Sequence, residues 1–289
     1  MDLSTWQAEG KHFCYKGKFN IFFQESGQGE TILLLHGFPT ASWDWNKIWE
    51  SLSADYQVIA LDFIGFGFSD KPKNYSYSIL DQADLVEALL QEKNIKKCHL
   101  LTHDYGDTVA QELLARSLDQ RLAFQIQSLF LLNGGLFPET HHPRFIQKLL
   151  LSPIGILITP FLNRQKLSRN FHAIFGKETP PSETEITAFF QLIEYNNGKY
   201  VFHKLIRYMK ERKQNRSRWV KSLQKASIPI QFFNGNADPI SGKHMVERYR
   251  ELIPNPDIVS LPEIGHYPQT EAPTATLTAY RRFLQKIEN

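Results

Sequence analysis

Three residues far apart in the 289-residue chain carry groups that could do covalent chemistry together: Asp104, Asp238 and His266. Asp104 stands in Thr102-His103-Asp104-Tyr105-Gly106. Cys98 to Thr102 before it is an apolar run of strand type, and Thr108 to Arg116 after it repeats apolar residues at helical spacing. Asp104 is therefore expected on a sharp strand-to-helix elbow, the geometry that exposes a nucleophile. The competing role is a helix N-cap. Asp107, directly before Thr108-Val109-Ala110, is the better candidate for that. Asp238 follows an apolar strand and precedes Pro239, which suits a turn or the acid that orients a histidine. His266, in Gly265-His266-Tyr267-Pro268, suits a general base. Nucleophile, acid and base follow one another along the chain, each at a strand end.

A carboxylate nucleophile implies particular chemistry. Serine must lose a proton to attack, whereas an aspartate is already ionised at pH 7. It can attack a saturated carbon, displace an alkoxide or halide, and remain as an alkyl ester. His266, oriented by Asp238, would then activate the water that attacks the ester carbonyl. Two backbone N–H groups are candidates to hold the oxyanion: Phe38, in Leu35-His36-Gly37-Phe38-Pro39, and Tyr105. His36 and His103 flank the site. This chemistry requires no cofactor and no metal, and His141-His142 lacks a third ligand at sensible spacing. The Gly-rich turn Asp62 to Asp70 lacks the Gly-Lys-Ser/Thr of a phosphate loop and reads as structural.

The elements that must position these residues follow from periodicity. Residues 11–28 read as a hairpin turning at Lys16-Gly17-Lys18. Strand-like runs follow at 31–35, 57–62, 98–102, 128–132, 229–234 and 257–261, with helical patterns at 42–54, 79–93, 107–118, 241–252 and 273–287. Alternating strands and helices with near-continuous apolar strands predict an α/β fold, a mostly parallel sheet covered on both faces. The alternation stops after Leu132 and resumes at Ile228. This divides the chain into a main domain, 1–136 and 226–289, and a helical cap, 137–225, inserted after the sixth strand. The cap should lie above the carboxyl edge of the sheet, where such folds bind ligands.

Charge supports that division. The net charge of +3 conceals 16 Lys/Arg against 6 Asp/Glu in 137–225 and 17 against 24 elsewhere. The basic run Arg207 to Lys221 reads as a solvated helix face, and no nucleic-acid motif accompanies it. Seven cap phenylalanines (Phe137, Phe145, Phe161, Phe171, Phe175, Phe189 and Phe190) should mostly pack the cap, some lining an apolar pocket. Cys14 and Cys98 make no disulfide framework. Without a signal peptide or membrane-spanning segment, a cytoplasmic protein is expected. Its expected partners are a small apolar substrate and water, and the oligomeric state is left open.

"HDYGDTVAQELL" and "VIALDFIGFGFSDKP", with the motifs above, resemble the α/β-hydrolase superfamily along essentially the whole chain. His-Asp-Tyr-Gly resembles its Asp-nucleophile branch, the epoxide hydrolases and haloalkane dehalogenases. The resemblance implies the α/β-hydrolase fold and gives Asp104, Asp238 and His266 the triad roles. It makes Tyr208 the later of two cap tyrosines that protonate an epoxide oxygen. The earlier tyrosine is missing between Phe137 and Ile193, with Tyr195 or Tyr200 as substitutes. Dehalogenases carry Trp after the nucleophile where this chain has Tyr105, and one group uses Asn where it has Phe38. Trp43 or Trp219 could supply the N–H. The implied activity is epoxide hydrolase-like, with haloalkane dehalogenase second. Ester or lactone chemistry, or a non-catalytic binding or signalling role on the same scaffold, are further alternatives.

Overall fold

The computed structural model describes residues 1–288. Its sheet is built around β3 (Thr31–Leu35), a run of five buried residues, whose apolar side chains suit a strand covered on both faces. β1 (Lys11–Tyr15) and β2 (Phe19–Ser26) form the expected antiparallel hairpin. β4 (Gln57–Leu61), β5 (Lys97–His103), β6 (Gln125–Leu132), β7 (Ile230–Gly235) and β8 (Asp257–Leu261) complete eight strands in the order β1-β2-β4-β3-β5-β6-β7-β8. From β4 across to β8 every pairing is parallel.

The helices are α1 (Leu3–Glu9), α2 (Asn46–Ser53), α3 (Ile79–Glu92), α4 (Tyr105–Leu118), α5 (Phe145–Leu151), α6 (Gly155–Ile158), α7 (Arg164–His172), α8 (Glu183–Glu194), α9 (Phe202–Leu205), α10 (Tyr208–Gln214), α11 (Arg216–Lys225), α12 (Lys243–Leu252), α13 (Pro268–Glu271) and α14 (Pro273–Glu288). Residues 42–45 form a short 3-10 turn before α2. Sequence periodicity missed α1, whose Trp6 is fully buried and packs on Trp49 with ring centroids 4.9 Å apart. Between β6 and β7 the regular elements among the described residues are all helices.

Strand order decides where the site lies. The chain leaves β3 towards β4 on one side, and β5 lies on the other. The carboxyl ends of β3 and β5 therefore flank a switch point, with Leu35 beside Thr102, and a crevice opens there. Leu132 pairs with Phe233 further across, so β6 and β7 end at the same edge.

Three local expectations change. α4 begins at Tyr105, not near Asp107, because the backbone turns in one residue at Asp104. Asp107 is thus a buried first-turn residue rather than the N-cap, and its carboxylate accepts from Thr102 Oγ1 at 2.5 Å. Phe145 and Phe161, expected to pack the cap, are 79% and 65% exposed. The basic run is also not all solvated: Arg212 is 2% exposed, because a carboxylate waits for it in the interior. Among the described residues, no helix is long and apolar enough to cross a membrane.

Candidate active site

Asp104 occupies the N-cap position of α4 with φ 43 and ψ −95. This left-handed conformation is disfavoured for a residue with a Cβ and is held by surrounding structure. The Asp104 N–H donates to Leu132 O at 3.1 Å, and Gly106 N–H donates to His36 O at 3.0 Å. A Cβ at residue 106 would come within 2.3 Å of Leu35 O, so only glycine lets the elbow approach β3 this closely. The carboxylate caps no helix amide. Instead Oδ2 accepts from Phe38 N–H at 3.2 Å, and Oδ1 accepts from Arg212 Nη2 at 3.1 Å.

His266 lies between two carboxylates. Its Nδ1 is 2.7 Å from Asp238 Oδ2, and its Nε2 is 4.0 Å from Asp104 Oδ2. Because a carboxylate only accepts, Nδ1 carries the proton in that bond. Asp238 is held in turn by Ile240 N–H, Ser241 N–H, Ser241 Oγ and Asn133 Nδ2. Burial opposes charge on every member of this group, yet the partners win. Burial would push His266 down, but the Asp238 charge and hydrogen bond, with help from Asp104, lift it to about 9. Burial would push Asp104 up, but Arg212 first and then His266 hold it below the usual carboxylate range. Asp238 is likewise kept low despite its burial, chiefly by the His266 charge.

His36 and His103 flank this centre as neutral supports. His36 Nε2 accepts from Phe63 N–H at 3.1 Å, while its Nδ1 donates to Gly37 O. His103 Nε2 donates to His266 O at 2.8 Å, and burial drives the ring's pKa down to about 3. Both fix backbone on either side of Asp104. Tyr105 is the first residue of α4, so its N–H has no partner within the helix.

Above the carboxylate opens a cavity of about 90 Å³. Asp104, His266, Phe38 and Pro39 form part of its wall; Leu150, Leu162, Leu167, Phe171, Ile174 and Phe190 supply apolar surface from the inserted helices. No tyrosine or tryptophan is among its lining residues. Tyr208 packs behind Phe38, 5.9 Å between centroids, with the Arg212 guanidinium over its ring at 4.5 Å, and its buried hydroxyl has no partner. Trp43 is buried against Phe189. The Trp219 N–H is taken by Glu112 at 2.8 Å. Tyr195 packs on Phe68, and Tyr200 is 38% exposed.

Two residues of the site escaped the sequence. Asn133, in left-handed backbone with φ 45, joins the end of β7 to Asp238 through Gly235 N–H, Gly235 O and Asp238 Oδ2. Its only signal was an Asn followed by two glycines at a strand end. Arg212 donates from Nε to Thr108 and from Nη2 to both Asp104 O and Oδ1. Its signal was its place four residues after Tyr208, on the same helix face. Among the described residues, no group of three or more His, Cys, Asp or Glu could hold a metal ion. His142 stacks on His244, 4.1 Å between centroids.

Residues 30–273 match the family model for the alpha/beta hydrolase fold. The chain belongs to that family. It is an α/β-fold hydrolase. It is 46% identical to the mesoderm-specific transcript homolog protein of Bos taurus over 300 residues, covering 99% of this chain and 88% of the other. It is 40% identical to the putative hydrolase LipZ of Mycobacterium tuberculosis over 255 residues, 88% of each. Among solved structures, the haloalkane dehalogenase DbeA of Bradyrhizobium elkanii superposes with a TM-score of 0.81 at 22% identity, covering 96% of this chain and 98% of the other. That identity speaks for the fold alone.

Proposed function

We propose that this hydrolase acts at a saturated carbon through an Asp104 alkyl ester, and that its substrates are small, largely apolar epoxides. One observation carries the proposal. A buried carboxylate, ionised by its surroundings, faces an apolar cavity with one oxygen on the Phe38 N–H and His266 Nε2 4.0 Å away.

Oδ2, already on the Phe38 N–H, becomes the carbonyl oxygen of the ester, and Oδ1 attacks. The C–O bond of the substrate breaks, and its electron pair goes to the leaving oxygen, which takes a proton. The resemblance assigns that proton to Tyr208; its buried hydroxyl lies behind Phe38 and outside the cavity lining, so the transfer requires a water between them. A water then attacks the ester carbonyl while Nε2 takes its proton. The N–H groups of Phe38 and Tyr105 hold the tetrahedral oxyanion. Collapse expels the alkoxide, which takes the proton from His266, and leaves Asp104 as the acid; its remaining proton returns to the Tyr208 phenolate, so both Asp104 and Tyr208 end as they began. Residues 137–225 serve as the cap that excludes water and selects substrate, over a main domain of 1–136 and 226–289.

The first step also prepares the second. In the free enzyme His266, at about 9, is protonated at neutral pH and cannot act as a base. Ester formation removes the Asp104 charge that helps hold that proton, and the imidazole is released to act on water. Halide release is the second reading: the lining presents neither an indole N–H for a halide nor a tyrosine hydroxyl for an epoxide oxygen.

The test is intact-protein mass spectrometry of His266→Ala with separate pools of epoxides, haloalkanes and esters. A gain equal to the whole epoxide, mapped to Asp104, is expected. A gain of haloalkane less HX means dehalogenation. No adduct from any pool on a folded protein refutes the alkyl-enzyme.

A further inference from the structure

Arg212 extends beyond Asp104. Its Nε and Nη2 are engaged on the Asp104 side, whereas Nη1 is buried without a partner. Both ring nitrogens of His141 are also buried and unpartnered. These groups converge over Gly135, where a Cβ would lie 2.2 Å from Nη1 and 2.9 Å from His141 Nδ1.

Both residues line a second pocket, separate from the apolar cavity, together with Lys148, Lys210 and Lys213. Helix α5 forms the partition. Gln147 and Leu150 face the apolar cavity, and Lys148 and Leu151 face this pocket. No carboxylate lines it. The nearby acid Glu139 is already paired with Arg216 and Arg248, and Asp104 lies across the guanidinium. A water could occupy one N–H. It gives no reason for three lysines around a pocket without acids, where the field favours an anion. The fork of a guanidinium matches the geometry of a carboxylate or phosphate.

We propose that this pocket binds an oxyanion, a carboxylate or a phosphate, through Arg212 Nη1 and the His141 ring, with the three lysines at its mouth. The bound anion draws on the same guanidinium that holds Asp104 Oδ1. It therefore loosens the ion pair on the attacking oxygen, and the pocket becomes a place from which an anion activates the nucleophile. This consequence rests on Asp104 being the nucleophile; the binding does not.

The experiment follows the Arg212 Nε–H resonance by NMR, assigned through its loss in Arg212→Lys. The full chain is titrated with phosphate, acetate or decanoate at constant ionic strength. A saturable shift with phosphate or acetate is expected. Lys210→Ala/Lys213→Ala alters exposed side chains only; it should melt unchanged and bind several-fold more weakly. His141→Phe should weaken binding about tenfold, one lost charge-assisted hydrogen bond. Decanoate binding far tighter than acetate assigns the carboxylate to a chain-bearing ligand, and equal affinities assign a free ion. No saturable shift with any of the three overturns the site, as does unaltered affinity in the lysine variant. No turnover is measured, so failure here leaves the Asp104 mechanism standing. Failure to trap an Asp104 adduct equally leaves this site standing.

Discussion

Asp104→Asn should lower the pKa of His266, and the size of the shift can be worked from one distance. The Asp104 Oδ2 to His266 Nε2 separation is 4.0 Å. Two unit charges that far apart interact by about 4 kcal/mol at an effective dielectric of about 20, and by about 1 kcal/mol in bulk water. At about 1.4 kcal/mol per pKa unit, the shift is roughly 0.7–3 units. The sign is downward, because losing a negative neighbour disfavours the imidazolium. Arg212, left without its counter-charge, acts in the same direction. The value of about 9 should therefore fall to ~8 or below, with Asp238 still in place to hold the tautomer. Asparagine nearly preserves the shape of the site, so a change in pKa reports charge rather than packing. The assay is an NMR pH titration of the His266 Cε1–H, which needs no substrate. A His266 pKa that stays near 9 in Asp104→Asn would refute the reasoning. It would mean that Asp238 alone holds the proton, and that ester formation cannot release the base.

Other expectations follow from the same contacts. Arg212→Met removes one partner of a pair in which both side chains are almost fully buried; it should cost about 3–5 kcal/mol in urea unfolding, and adding Asp104→Asn should recover part of that loss. Arg281→Met, which breaks an exposed pair with Asp55, should cost under ~1 kcal/mol in the same assay. Asn133→Ala strands both backbone groups of Gly235 and one bond to Asp238; a loss of about 1–3 kcal/mol is expected, together with a lower His266 pKa by NMR. His266 is raised to about 9 from an ordinary 6.5, so its contribution to stability is complete below about 6.5 and fades as pH rises towards 9. The melting temperature of the wild type should accordingly fall more over that window than that of His266→Gln; parallel curves would refute it.

The sheet and the three titratable residues at its carboxyl edge were legible because both signals are local. An apolar run of five residues declares a buried strand, and a charged or imidazole side chain just past such a run has few structural uses. The Asp104 elbow was read correctly from small residues around a strand–helix junction. The cap at Asp107 was not, because the choice between the two aspartates is made by Leu132 O and His36 O, which lie elsewhere in the chain. Arg212 was illegible for the same reason. In a run with six other Lys and Arg residues, nothing local separates the one whose partner lies 108 positions away. Phe145 and Phe161 mislead in the opposite direction: their type argues burial, but α5 and the turn after α6 turn other side chains inward.

Four buried charges at the centre balance one another. Asp104 and Asp238 are held ionised, His266 is held protonated, and Arg212 is permanently charged. The quartet is neutral overall, which limits the cost of burying it. A fifth group, Asp107, sits within one helical turn, and burial raises its pKa well above the ordinary value. Converting the Asp104 carboxylate to an ester would leave the group with a net positive charge in a low-dielectric interior. Arg212 cannot shed its proton, and His266 can. The charge balance that stabilises the folded protein thus makes the loss of the His266 proton the expected response to alkylation. Asp104 and His266 both line the cavity, the space that the proposed hydrolytic water would enter.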